Sequence, residues 1–199
     1  MQYRAIGIVR GIYRPEDQDH FTRGHVIDEE GLEIQAVVLG RVMTLMRRHL
    51  SMESPHLWVV YPRCREPDSL YLQIAGIWEP STLDNSTPQD EDLSSPPPDA
   101  VVKDHLQEGD DYFSIRGELI FTKPETEDLV IKVRQQPRPD GRRPSPFKLQ
   151  LKGSIHLKHL RHFVELHVRR KGRGLYVEDC ELIAPMPKKQ GKSRGVVRI

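Results

Sequence analysis

Tyr112-Phe-Ser-Ile-Arg-Gly-Glu-Leu-Ile-Phe121 is the stretch from which the rest of the chain can be read. Phe113, Ile115, Leu119 and Phe121 fall on one side of an extended chain, and Ser114, Arg116 and Glu118 on the other, the period of two that a half-buried strand requires. Gly117 lies among the apolar positions, where a bulge or sharp bend lets one strand serve both sides of a barrel. Leu129, Ile131 and Val133 next alternate with Val130, Lys132 and Arg134. After a proline-rich loop, Phe147, Leu149 and Leu151 alternate with Lys148, Gln150 and Lys152, so the two segments are expected to pair as a hairpin. Val164, Leu166 and Val168 alternate with Glu165, His167 and Arg169. Lys171-Gly-Arg-Gly174 then turns the chain into Leu175–Ile183, its two glycines supplying the positive φ angles of a tight hairpin.

Five strands in about 70 residues, with a long second hairpin and a tight last one, resemble an OB-fold barrel. The helix usual between the third and fourth strands has only Ser154 to Arg161 available, enough for a turn or two. The first 80 residues repeat the order of elements. Tyr3–Tyr13 reads as a strand bent at Gly7 and Gly11, and His25–Asp28 and Leu32–Val37 flank the turn Glu29-Glu-Gly31. Val38, Leu39, Val42, Leu45 and Met46 recur at helical spacing through Leu39 to Leu50, and Leu57–Pro62 and Leu70–Trp78 are two further strands. The expected fold is therefore all-β: two small five-stranded OB-like barrels, the first with one α-helix between strands 3 and 4. Ile6-Gly-Ile-Val-Arg-Gly-Ile-Tyr13, Leu39-Gly-Arg-Val-Met43 and Leu57-Trp-Val-Val-Tyr-Pro62 also resemble segments of a conserved cyanobacterial-type protein. That resemblance brings no activity with it.

Charge divides the chain more sharply than hydrophobicity does. The net charge of +1 hides 9 basic against 11 acidic side chains in residues 1–80, 1 against 9 in 81–111, and 20 against 9 in 112–199. A first barrel over 1–80, an acidic Pro/Ser-rich linker over 81–111, a basic second barrel over 112–186 and a basic tail over 187–199 follow from this division. The linker's composition cannot bury enough apolar surface to offset the entropy of ordering it. It is expected to be a solvated spacer, with an acidic mimic that covers the basic barrel as the sharper reading. A field of one sign concentrates ligands of the other, so the partner expected for the second barrel is RNA or DNA, single-stranded or structured.

Period two puts Arg116, Lys132, Arg134, Lys148 and Lys152 on one outward face, on the strands with which OB-folds bind oligonucleotides. Arg138, Arg142 and Arg143 extend that face from the proline-rich loop, and Arg169, Arg170 and Lys171 from the last turn. Phe163 and Tyr176 are the aromatic residues expected to stack on bases. Phosphate contacts of this kind position a ligand without reading its sequence, so low specificity is expected. The alternative is an adaptor whose first barrel grips a protein through Trp58, Tyr61, Arg63 and Trp78, residue types that dominate interface hot spots.

Other chemistry finds little support. His156, His159 and His162 recur every third residue and would spread around a short turn rather than converge on a metal. Asp110 and Asp111 close an acidic segment, Cys64 and Cys180 are the only cysteines, and no phosphate-binding glycine loop or nucleophile motif occurs. A binding protein without cofactor is expected rather than an enzyme. No apolar run reaches the roughly 20 residues that span a bilayer. With no apolar signal core at the start, a cytoplasmic location without membrane contact is expected.

Overall fold

The structure, a computed structural model, describes residues 1–17, 21–65, 69–78, 108–137 and 139–187. Most of the expected linker, the tail beyond Pro187 and Arg138 lie outside the described residues.

The first half contains β1 (Arg4–Pro15), β2 (Arg23–Ile27), β3 (Glu33–Val38), α1 (Gly40–His49), β4 (His56–Cys64) and β5 (Leu70–Ile77). The second contains β6 (Tyr112–Lys123), β7 (Asp128–Val133), β8 (Phe147–Lys152), a 3-10 turn (Leu157–His159), β9 (His162–Lys171) and β10 (Gly174–Pro185). Each half closes as a barrel with the same strand order, β1-β2-β3-β5-β4-β1 and β6-β7-β8-β10-β9-β6. In each, the third and fifth strands run parallel and the other neighbours antiparallel. The two-OB-fold architecture read from the periodicity is therefore present, with a helix only in the first half.

Alternation explains the cores. Val9, Val26, Ile34, Ala36, Trp58, Val60, Leu72 and Ile74 fill the first barrel, and α1 adds Val42 and Met46 while its arginines face out. Trp58 Nε1–H donates to the Gly11 carbonyl at 2.8 Å, so the indole is buried with its one polar atom satisfied. Ile115, Leu119, Leu129, Ile131, Leu149, Leu151, Leu166 and Val168 fill the second. In the last hairpin only Gly172 takes a positive φ, at 60°. Gly174 instead leaves space for the Tyr176 ring.

The two barrels share one continuous sheet. β1 gives Ile12–Pro15 to β2, and the part of the same strand ahead of this, Arg4–Gly7, pairs antiparallel with Phe113–Arg116 of β6. Gly7 stands opposite Phe113, and a Cβ at Gly7 would overlap the Phe113 ring. The glycine expected only to bend a strand is thus the point where the second barrel's aromatic core residue reaches the first barrel's backbone.

A buried ion cluster fastens the seam. Arg170, with 4% of its side chain exposed, donates from Nε to Asp111 Oδ1 at 2.6 Å and from Nη2 to Asp28 Oδ2 at 3.0 Å. Asp28 belongs to the first barrel. Asp111 takes a left-handed φ of 63°, tolerable for aspartate, and its backbone N–H donates to the Ile8 carbonyl at 2.8 Å. Burial pushes the Asp111 carboxyl up, against the pull of Arg170. Folding therefore favours its protonation, and this carboxylate's cost to the neutral-pH fold falls as pH drops through its folded pKa. Arg4 to Glu165 at 2.6 Å, Arg10 to Asp110 at 2.5 Å and the Arg63 guanidinium 3.7 Å from the Phe147 ring centroid add further cross-barrel contacts.

Two stability measurements check this seam. Gly7→Ala should lower unfolding free energy by about 1–3 kcal/mol, as overpacking does. Gly40→Ala, with open space around its Cβ, should change it little. Equal effects in urea titrations would contradict the packing. Arg170→Ala strands two carboxylates and should cost about 3–5 kcal/mol. Asp111→Asn keeps an acceptor for Arg170 and should cost about 1 kcal/mol or less; a reversed order would refute the account of the cluster.

Candidate nucleic-acid interface

The outward face of β6, β7 and β8 is a lattice of three rows. Glu118, Lys132 and Lys148 form the first, Phe121, Val130 and Gln150 the second, and Lys123, Asp128 and Lys152 the third. Lys132 and Lys148 are direct cross-strand neighbours, which like charges avoid unless something else holds the register. Here the buried partners Ile131 with Leu149 and Leu129 with Leu151 hold it.

The cations on this lattice are not equivalent. Lys152 Nζ donates to Asp128 Oδ1 at 2.6 Å, and that bond, with one from Thr126, holds the Asp128 carboxyl below its usual range. Lys132 Nζ lies 3.8 Å from buried Glu118. Among the described residues, Lys148 faces no carboxylate at ion-pair distance. Arg134 sets its guanidinium 5.6 Å from the Tyr3 ring centroid, beside a groove of about 710 Å³ that Lys132 and Arg143 also line. Arg142, 85% exposed, lies 3.8 Å from Asp140 on the β7–β8 loop. Lys171 and Tyr176 sit together, Nζ 5.7 Å from the ring, and Tyr176 continues the third row by pairing with Lys152.

Four expectations need correction. Phe163 is 1% exposed and packs edge-to-face on Tyr3 at 5.0 Å, so it offers no stacking surface. Its place out of phase with Val164, Leu166 and Val168 misleads because Phe163 and Val164, consecutive residues, are both buried where β9 curls between its neighbours. Arg170 is the buried core of the seam cluster and cannot reach a phosphate. Arg116 and Arg4 share Glu165, at 2.9 and 2.6 Å, so Arg116 is bound into the β1–β6–β9 surface rather than the lattice. Arg169 is likewise engaged, with Glu178 at 3.2 Å and the Glu108 and Asp110 carbonyls at 2.7 and 2.9 Å.

The adaptor set also disperses. Trp58 is buried, and Arg63 lies over Phe147 in the seam, where burial lowers its pKa. Tyr61 is half-buried and Trp78 is 46% exposed at the end of β5. The histidines do not converge: His156 Nδ1 accepts from Lys158 N–H, and the rings of His156, His159 and His162 stand 6.5 and 5.5 Å apart in sequence.

Phe121 is the residue that alternation misplaced. A β-bulge between Leu119 and Phe121 shifts the phase, so Phe121 points outward at 46% exposure while Thr122 turns in and donates to the Ile155 carbonyl at 2.7 Å. The signal was present in Thr122-Lys-Pro124, since strict alternation from Phe113 would have left the interior position at residue 123 to a lysine.

A sequence family described as "PatR RNA-binding protein, N-terminal OB-fold domain" matches residues 5–85, and one described as "Cyanobacterial OB-fold-like RNA-binding domain, C-terminal" matches residues 115–184. No curated protein and no solved structure matches the chain. The repeated strand order and the two family matches agree in where they divide the chain, which belongs to the cyanobacterial-type tandem OB-fold proteins.

Proposed function

We propose that this protein is a non-enzymatic RNA-binding protein that engages its ligand on the outward β6–β7–β8 face of the second barrel. The observation that carries this is the adjacent lysine pair Lys132 and Lys148, on the strands with which OB-folds bind oligonucleotides, in a domain matched by a family described as RNA-binding. Arg134, Arg143 and Arg142 extend the path toward the β7–β8 loop, and Lys171 with Tyr176 extends it the other way. The descriptions of both matching families support RNA over DNA as the ligand in this reading. Most contacts available on this path are to phosphates, which fix register more than they select sequence.

Phosphate neutralisation releases counterions, so affinity for a labelled single-stranded RNA should fall steeply with salt. The slope of log K against log salt should shrink by about 0.7 for each lysine removed, hence by about 1.4 for Lys132→Ala combined with Lys148→Ala. Lys152→Ala should have a smaller effect, because Asp128 already neutralises that ammonium. Absence of binding at low salt, or an unchanged slope in the double variant, would overturn the proposal.

A further inference from the structure

We propose that the cleft between the two barrels takes one unpaired RNA base, stacked on Phe121 and edged by Gln150, with Cys64 and Arg65 at the end of β4 on its opposite wall. This rests on the RNA-binding reading and names the form of RNA that the site selects.

The middle row of the lattice differs from its neighbours. Phe121, Val130 and Gln150 form an uncharged strip between two rows that each carry two lysines. Phe121 is one of few large apolar side chains exposed among the described residues, and the bulge is what turns it outward. The bulge keeps Lys123 out of the interior and turns Thr122 in, at the cost of leaving Phe121 46% exposed, which forgoes part of the burial, about 1.5–3 kcal/mol, that a phenylalanine would otherwise contribute. Bulges that re-aim a side chain recur next to functional sites.

The ring does not face open water. Cys64 and Arg65, at the end of β4, stand across from Phe121, Val130, Lys148 and Gln150 around a space of about 400 Å³. A second space of about 270 Å³ shares Cys64, Phe121, Val130 and Gln150 and extends to Leu70, Lys152 and Arg173. The two are lobes of one cleft whose floor is the second barrel and whose wall is the first. Among the described residues no hydrogen bond engages the Gln150 amide, which carries both a donor and an acceptor for the edge of a base.

Charge and geometry decide the occupant. Arg65 and Lys148 flank the ring, while Asp128, the one carboxylate lining the cleft among the described residues, is held by Lys152. An aromatic floor between cations fits a base with its phosphates, since stacking is tolerant of base identity. A paired helix hides its base faces and offers only edges and backbone, so the ring selects unpaired RNA. The β1–β6 pairing and the Arg170 cluster fix both walls before ligand arrives, so little ordering cost attends binding.

The test uses the full chain and a short single-stranded RNA carrying 2-aminopurine, with anisotropy and fluorescence read together. Phe121→Ala should weaken binding about ten- to a hundredfold and abolish the stacking quench, with the salt slope unchanged and thermal stability near wild type. Phe121→Tyr should restore both affinity and quench. Arg65→Ala should weaken binding and shrink the salt slope, an effect that a site confined to the second barrel does not give. Annealing the RNA to its complement should weaken wild-type binding. If Phe121→Ala binds as wild type does while Lys132→Ala with Lys148→Ala is impaired, the base site is refuted and RNA binding stands. If wild type binds no RNA at low salt, both fall.

Discussion

The antiparallel pairing of Arg4–Gly7 with Phe113–Arg116 is the constraint on which the molecule is organised. Each barrel's first strand leaves an edge unpaired ahead of its own second strand, and an exposed edge invites association. Joining the two edges removes both at once. The missing Cβ of Gly7 lets the Phe113 ring lie against that backbone, so the seam is packed as well as hydrogen-bonded. Everything facing the cleft inherits its geometry from this junction, including the distance between Arg65 and the lattice.

The seam also explains where the basic excess of the second half goes. An excess of 20 basic over 9 acidic side chains reads, in sequence, as a polyanion surface. Part of it is structural: Arg116, Arg169 and Arg170 each bond carboxylates or carbonyls, and Arg173 Nη2 lies 3.4 Å from the Glu33 carbonyl across the barrels. Arginine suits such places because its planar fork satisfies several acceptors at once. The cations left for a ligand are chiefly lysines and loop arginines, fewer than the composition implies but gathered by strand register.

Fold was legible because period two and turn chemistry are local signals, and ten segments each carried one. The barrel repeat showed in the order of elements, and α1 in the spacing of Val42, Leu45 and Met46. Side-chain roles were legible only where register keeps phase. Lys132, Lys148 and Lys152 were placed correctly on the outward face. Phe121 was assigned inward because a one-residue bulge reverses facing and leaves almost no trace in composition. Phe163 and Arg170 were misassigned because their burial comes from the other strand of the seam or from barrel curvature, which no single segment encodes. Asp110 and Asp111 read as the end of an acidic spacer, whereas in the structure they anchor Arg10 and Arg170.

Amide chemical-shift mapping during titration with single-stranded RNA tests the central claim most directly, because it locates the ligand without presuming a residue. The account predicts perturbations gathered on residues 120–132 and 147–152 together with Arg63–Arg65 of the first barrel, the two walls of one cleft. Perturbations confined to the β2–β3 face of the first barrel, or to β9 and β10, would contradict it.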